Sequence, residues 1–99
     1  MAKKVVKKTS DLYKLVVKGR KAAQAGGVWI TGIFSSCIWQ IKRFDEGSKY
    51  GIRGGKISKL WIKDKATGLV IADYERGWSI RPTRKLAKEL FEILLKTYN

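Results

Sequence analysis

Val28-Trp29-Ile30-Thr31-Gly32-Ile33-Phe34 and Cys37-Ile38-Trp39-Gln40-Ile41-Lys42-Arg43-Phe44 impose a period of two and crowd together β-branched and aromatic residues. Both stretches read as strands. Ser35-Ser36 between them reads as the turn of a hairpin. Towards the C-terminus, Asp45 to Lys56 contains Gly47, Gly51, Gly54 and Gly55 and cannot be one regular strand, so a shaped loop is expected. Its Arg53 and Lys56 can wrap a phosphate, or the glycines can simply make a tight turn. Ile57 to Asp64 and Leu69 to Glu75 resume strand character around a second hairpin signal, Lys65-Ala66-Thr67-Gly68. Beyond Gly77-Trp78, Pro82 stands where a helix can begin, and Leu86, Leu90, Phe91, Ile93, Leu94 and Tyr98 mark its apolar side.

Towards the N-terminus, the spacing of Leu12, Leu15, Val16, Gly19, Ala22 and Ala23 predicts a first helix, capped by Ser10 and ended by Gly26-Gly27. Residues 1–9 lack periodicity and repel one another, which predicts a disordered basic arm. The expected fold class is therefore α+β. Residues 10–99 form a single domain of order α-β-β-β-β-α, a four-stranded antiparallel sheet with both helices on one face.

The chain has 99 residues, 44% of them apolar, which suits one compact domain. One cysteine, Cys37, forbids an intramolecular disulfide, and the absence of histidine removes the commonest metal ligand and general base. A reducing, cytoplasmic setting is expected. No window approaches the roughly 18 apolar residues of a membrane span, so no membrane association is expected. No cofactor or metal is expected either. The net charge is +14, and half of it lies in the first 21 residues, where eight Lys or Arg face only Asp11. Such a balance attracts polyanions and neutralises phosphates.

Candidate binding residues follow from charge and face. Lys3, Lys4, Lys7 and Lys8 belong to the arm, and Lys14, Lys18 and Lys21 form a row on the expected first helix, either a solvated face or a continuation of that arm. On the third expected strand, alternation turns Leu60 and Ile62 inward and leaves Lys59, Trp61 and Lys63 outward. An aromatic ring between two cations suits a single strand, whose bases stack while phosphates meet the charges; alternatively the glycine loop or a second subunit covers Trp61. Arg81, Arg84, Lys85 and Lys88 cluster where a helix dipole already favours anions. They mark a phosphate site, or else Lys85 and Lys88 lace to Glu89 and Glu92 along the helix. Catalysis would have to rest on carboxylates such as Asp64, Asp73 and Glu75, and an enzyme is not expected.

Phe44-Asp45-Glu46-Gly47-Ser48-Lys49-Tyr50-Gly51-Ile52-Arg53-Gly54-Gly55-Lys56-Ile57-Ser58-Lys59-Leu60, with Tyr74-Glu75-Arg76-Gly77-Trp78, resembles a small uncharacterised domain family of Gram-positive bacteria, their phages and mobile elements. The likeness takes in roughly residues 27 to 82 and brings no assigned chemistry. It implies a context in which small proteins bind nucleic acid or disable host nucleoproteins, including CRISPR nucleases. A weaker likeness to double-stranded-RNA-binding domains rests on the final helix opening Arg84-Lys85-Leu86-Ala87-Lys88; the chain departs from that family in having an extra strand and no His-bearing loop. The expected function is non-enzymatic binding of nucleic acid, DNA or RNA, by largely nonspecific phosphate contacts. The alternative is an anti-CRISPR-type inhibitor that docks on a host defence nucleoprotein.

Overall fold

The computed structural model describes residues 15–99. Six strands follow one another as a simple antiparallel meander: β1 (Leu15–Ala22), β2 (Val28–Phe34), β3 (Cys37–Arg43), β4 (Ile57–Asp64), β5 (Val70–Glu75) and β6 (Trp78–Ile80). A 3-10 turn, Ile52–Gly54, interrupts the long β3–β4 loop, and the helix α1 (Lys85–Tyr98) is followed only by its cap, Asn99.

Alternation builds the core. Ile30 and Phe34 of β2, Trp39 and Ile41 of β3, Leu60 and Ile62 of β4, and Ala72 and Tyr74 of β5 all turn to one side of the sheet. There they meet Ala87, Leu90, Phe91 and Leu94, the apolar stripe of α1. Gly32 is required at the centre of this packing: a Cβ there would run into the Val16 carbonyl oxygen and lie 2.6 Å from Cζ2 of Trp39. The missing side chain is what lets the Trp39 ring lie across β2, although its Nε1–H finds no acceptor among the described residues.

The C-terminal end of α1 is tied to the sheet by polar clamps. Arg43 Nε donates to the Tyr98 carbonyl at 2.7 Å, bringing a cation to the negative end of the helix dipole. Asn99 accepts from the Ile57 amide at 2.9 Å and donates to the Ile52 carbonyl at 3.0 Å, so one side chain joins helix end, loop and β4.

This architecture corrects the expected one. Among the described residues the sheet has six strands, not four, and one helix lies on its inner face instead of two. The stretch expected to be a first helix supplies β1, which pairs along β2 with Leu15 opposite Phe34 and Ala22 opposite Val28. Of the six residues that carry its helical spacing, Gly19, Ala22 and Ala23 have little apolar area to bury, whereas β2 would otherwise present a row of unpaired backbone donors and acceptors. Val16 and Val17 also favour the extended chain. β1 is exposed almost throughout, so it is held by its ladder more than by the core. The three residues of β6 are too few to show a period in sequence. Residues 1–9, read as a disordered arm, and the Ser10 cap lie outside the described residues.

Candidate functional site

Among the described residues, the sheet face turned away from α1 carries no helix. The register sorts its side chains into three rows that run across the strands. The first row is Lys21, Trp29, Lys42, Lys59 and Glu75, the second Gly19, Thr31, Gln40, Trp61 and Asp73, and the third Val16, Ile33, Ile38, Lys63 and Val70.

In the first row Lys42 stands directly opposite Lys59. Like charges in that position destabilise a sheet, and only part of the repulsion is offset locally. Lys59 Nζ lies 3.5 Å from the Glu75 carboxylate and 5.7 Å from the centre of the Trp29 ring. Lys42 Nζ lies 5.5 Å from Trp29 and 5.3 Å from Phe44. Trp29 is thus a half-buried platform with two ammonium groups over it, flanked by a third at Lys21. In the second row, Trp61 donates through Nε1 to Gln40 Oε1 at 2.7 Å, which fixes the orientation of the ring. Lys63 Nζ sits 5.7 Å from the Trp61 centre. Because Gly19 has no side chain, a hollow of about 400 Å³ opens beside Trp29, lined also by Lys21, Thr31 and Gln40.

Where β3 and β5 end and β4 begins, the face runs into a larger cleft of about 710 Å³. Lys42 and Lys59 form part of its lining, together with Phe44, Asp45, Glu46, Tyr50 and Arg76 from the loops. The Arg76 guanidinium lies 5.0 Å from the Tyr50 ring centre.

The expected binding residues divide over two faces. Lys59, Trp61 and Lys63 lie on the open face as the alternation predicts, and Lys21 joins them from β1. Lys18 sits at an irregularity of the β1 ladder, so Lys18 and Lys21 form a strand edge instead of a helix row. Arg53, Arg81, Arg84, Lys85 and Lys88 belong to the helix side. There Arg53, Arg81 and Lys88 line a cleft of about 550 Å³ with Trp78 and Phe91. Arg53 pairs with Glu92 at 3.1 Å, and Arg81 lies 5.7 Å from the Trp78 ring centre. Arg84 is engaged at long range, its Nη1 2.9 Å from Asp64 Oδ2. Lys3, Lys4, Lys7, Lys8 and Lys14 lie outside the described residues.

Asp64 has a second holding partner, because its Oδ1 accepts from the Ala66 amide at 2.9 Å. That amide above all, and then the Arg84 guanidinium, keep its carboxyl below the ordinary carboxylate value against an opposing effect of desolvation. Cys37, opposite Asp64 in the ladder, is buried, and desolvation with the neighbouring Asp64 charge pushes its thiol up. The three carboxylates considered for catalysis do not converge: Asp73 faces outward opposite Trp61, Glu75 binds Lys59, and Asp64 binds Arg84. Among the described residues no three Cys, Asp or Glu side chains gather as metal ligands, and no helix is long and apolar enough to cross a membrane.

Trp29 and Lys42 were not among the expected binding residues. The alternation that turns Ile30 and Ile41 inward also turns them outward, but their place in one row depends on register.

A family model described as a domain of unknown function (DUF7678) matches residues 28–99, from the first residue of β2 to the last residue of the chain. β1, with Gly19 and Lys21, precedes the matched region. No curated protein and no solved structure matches the chain.

Proposed function

The chain belongs to the family described as a domain of unknown function (DUF7678), so no chemistry is inherited, and from the geometry of the open face we propose a non-enzymatic module that binds single-stranded nucleic acid. The supporting observation is the opposition of Lys42 and Lys59 across the ladder beneath the Trp29 platform. A sheet that places two lysines face to face gives up folding stability, and an external anion between them recovers it. Phosphates meet Lys21, Lys42, Lys59 and Lys63, while bases stack on Trp29 and Trp61. Bases inside a duplex are already stacked, so an unpaired strand suits this face best. The basic groups of the helix side, Arg81, Lys85 and Lys88, add long-range attraction. A cytoplasmic setting in Gram-positive bacteria or their phages and mobile elements completes this reading.

Binding of a labelled oligonucleotide, followed by fluorescence anisotropy, tests it. Trp61→Ala should cost about 1–3 kcal/mol of binding, the usual worth of one stacked base, with the fold intact by circular dichroism. Unchanged affinity in Trp61→Ala and in Trp29→Ala would overturn the proposal.

A second reading has its own observation. Four of the five residues in the third row are apolar, with Val16 37% and Val70 39% exposed beside Ile33 and Ile38, and such a strip on a cationic face suits an acidic protein surface. Under that reading the chain docks on a host defence nucleoprotein as an inhibitor. One stoichiometric protein retained from a nuclease-treated host lysate, with no oligonucleotide binding, would favour it.

A further inference from the structure

We infer that the cleft of about 710 Å³ at the end of the open face is a nucleobase subsite that selects guanine. This rests on the single-strand reading above and adds base selectivity to it. The cleft continues the first row, since Lys42 and Lys59 line the cleft and also stand over Trp29. A strand stacked on Trp29 therefore delivers its next nucleotide to the mouth of the cleft. The volume suits a small ligand of nucleoside size. Planar groups line it: the rings of Phe44 and Tyr50, and the Arg76 guanidinium held 5.0 Å from the Tyr50 centre. Bases stack on such surfaces.

The polar lining decides which base. Asp45 and Glu46 reach the cleft from the loop after β3, and neither has an ion-pair partner among the described residues, whereas Glu75 is engaged by Lys59. At neutral pH a carboxylate is an acceptor only. Guanine presents two adjacent donors, N1–H and the N2 amino group, which one carboxylate accepts in bidentate fashion. Adenine and cytosine set one amino group beside a ring-nitrogen acceptor. Thymine and uracil set one N–H between two carbonyl oxygens, which a carboxylate repels. The other edge of guanine, O6 and N7, matches a Lys or Arg donor, and Lys42 and Arg76 line the same cleft. The order of preference is guanine, then adenine and cytosine, then thymine.

The test compares three nonamers by anisotropy: all thymidine, the same with one central deoxyguanosine, and the same with central deoxyinosine, which lacks the N2 amino group. The guanine-containing strand should bind about tenfold more tightly than the thymidine strand, the low end of one bidentate contact for an exposed site. Inosine should lose most of that gain. Asp45→Asn with Glu46→Gln, both exposed loop positions, should abolish the preference while all-thymidine binding is kept or strengthened. Equal affinity for the three strands overturns the guanine subsite and leaves the open-face reading standing. A preference that persists in the double variant overturns the carboxylate assignment. Absence of binding to every strand overturns both the subsite and the reading it rests on.

Discussion

Lys42 and Lys59 face one another across the β3–β4 ladder with Trp29 beside them, and each has a different local relief. Lys59 has Glu75, while among the described residues Lys42 has only the rings of Trp29 and Phe44. A neutral residue at position 42 should therefore help the fold and harm binding. Lys42→Thr is expected to raise stability by about 0.2–1 kcal/mol, the size of one cross-strand term, in urea unfolding, and to weaken oligonucleotide affinity in the same preparation. Loss of both stability and binding would mean that the lysine serves the fold. Asp64 shows the opposite logic. Its depressed carboxyl contributes stability that is complete above the unfolded value near 3.8 and is lost as pH falls through the lower folded value. Asp64→Asn should lower the melting temperature at neutral pH, and the gap to wild type should close as the pH falls below about 3.8. A gap independent of pH would show that hydrogen bonding, not charge, is what Asp64 supplies. Because Arg84 is the partner of Asp64, Arg84→Glu should also destabilise the 64–69 hairpin, which makes it a poor probe of phosphate binding.

At the scale of elements, α1 is the only helix longer than a single turn that covers the inner face among the described residues, joined there by Ile52 of the 3-10 turn, and it acts through a narrow stripe. Leu90 and Leu94 are fully buried beneath it. Either one changed to Ala should cost about 2–5 kcal/mol in chemical denaturation. For a domain of this size that is a large share of the roughly 5–10 kcal/mol available. A cost below about 1 kcal/mol would contradict the packing described. α1 could be read from sequence because its apolar residues recur at 3.6-residue spacing over more than three turns, and β2 to β5 because alternation along most of their length marks their two faces. β1 could not be, since a short basic segment with small residues fits a weak helix in isolation and a strand only once β2 offers an edge. The same element explains two of the three lysines of the misplaced basic row, because Lys18 and Lys21 follow the strand.

Over the whole molecule, charge is distributed front and back. The open face gathers Lys21, Lys42, Lys59 and Lys63, and the helix side gathers Arg53, Arg81, Lys85 and Lys88. The first nine residues add four lysines. If those lysines contribute attraction without specificity, deleting residues 1–9 should weaken binding and reduce the slope of log affinity against log salt by up to about 3, at roughly 0.7 per phosphate released from a single strand. Binding that remains should still depend on Trp61. Complete loss on deletion would place the whole interaction in those residues.

By itself, the sequence determined the things that depend on local periodicity and on composition. These are the β2–β5 meander, the C-terminal helix, the outward turn of Lys59, Trp61 and Lys63, and a strongly positive chain. Tertiary structure alone decided that Leu15–Ala22 is a strand, because an unpaired sheet edge outweighs a weak helical pattern. It alone set Lys42 against Lys59 and gave Arg84 its partner in Asp64, because register and long-range pairing join residues whose separation carries no local signal.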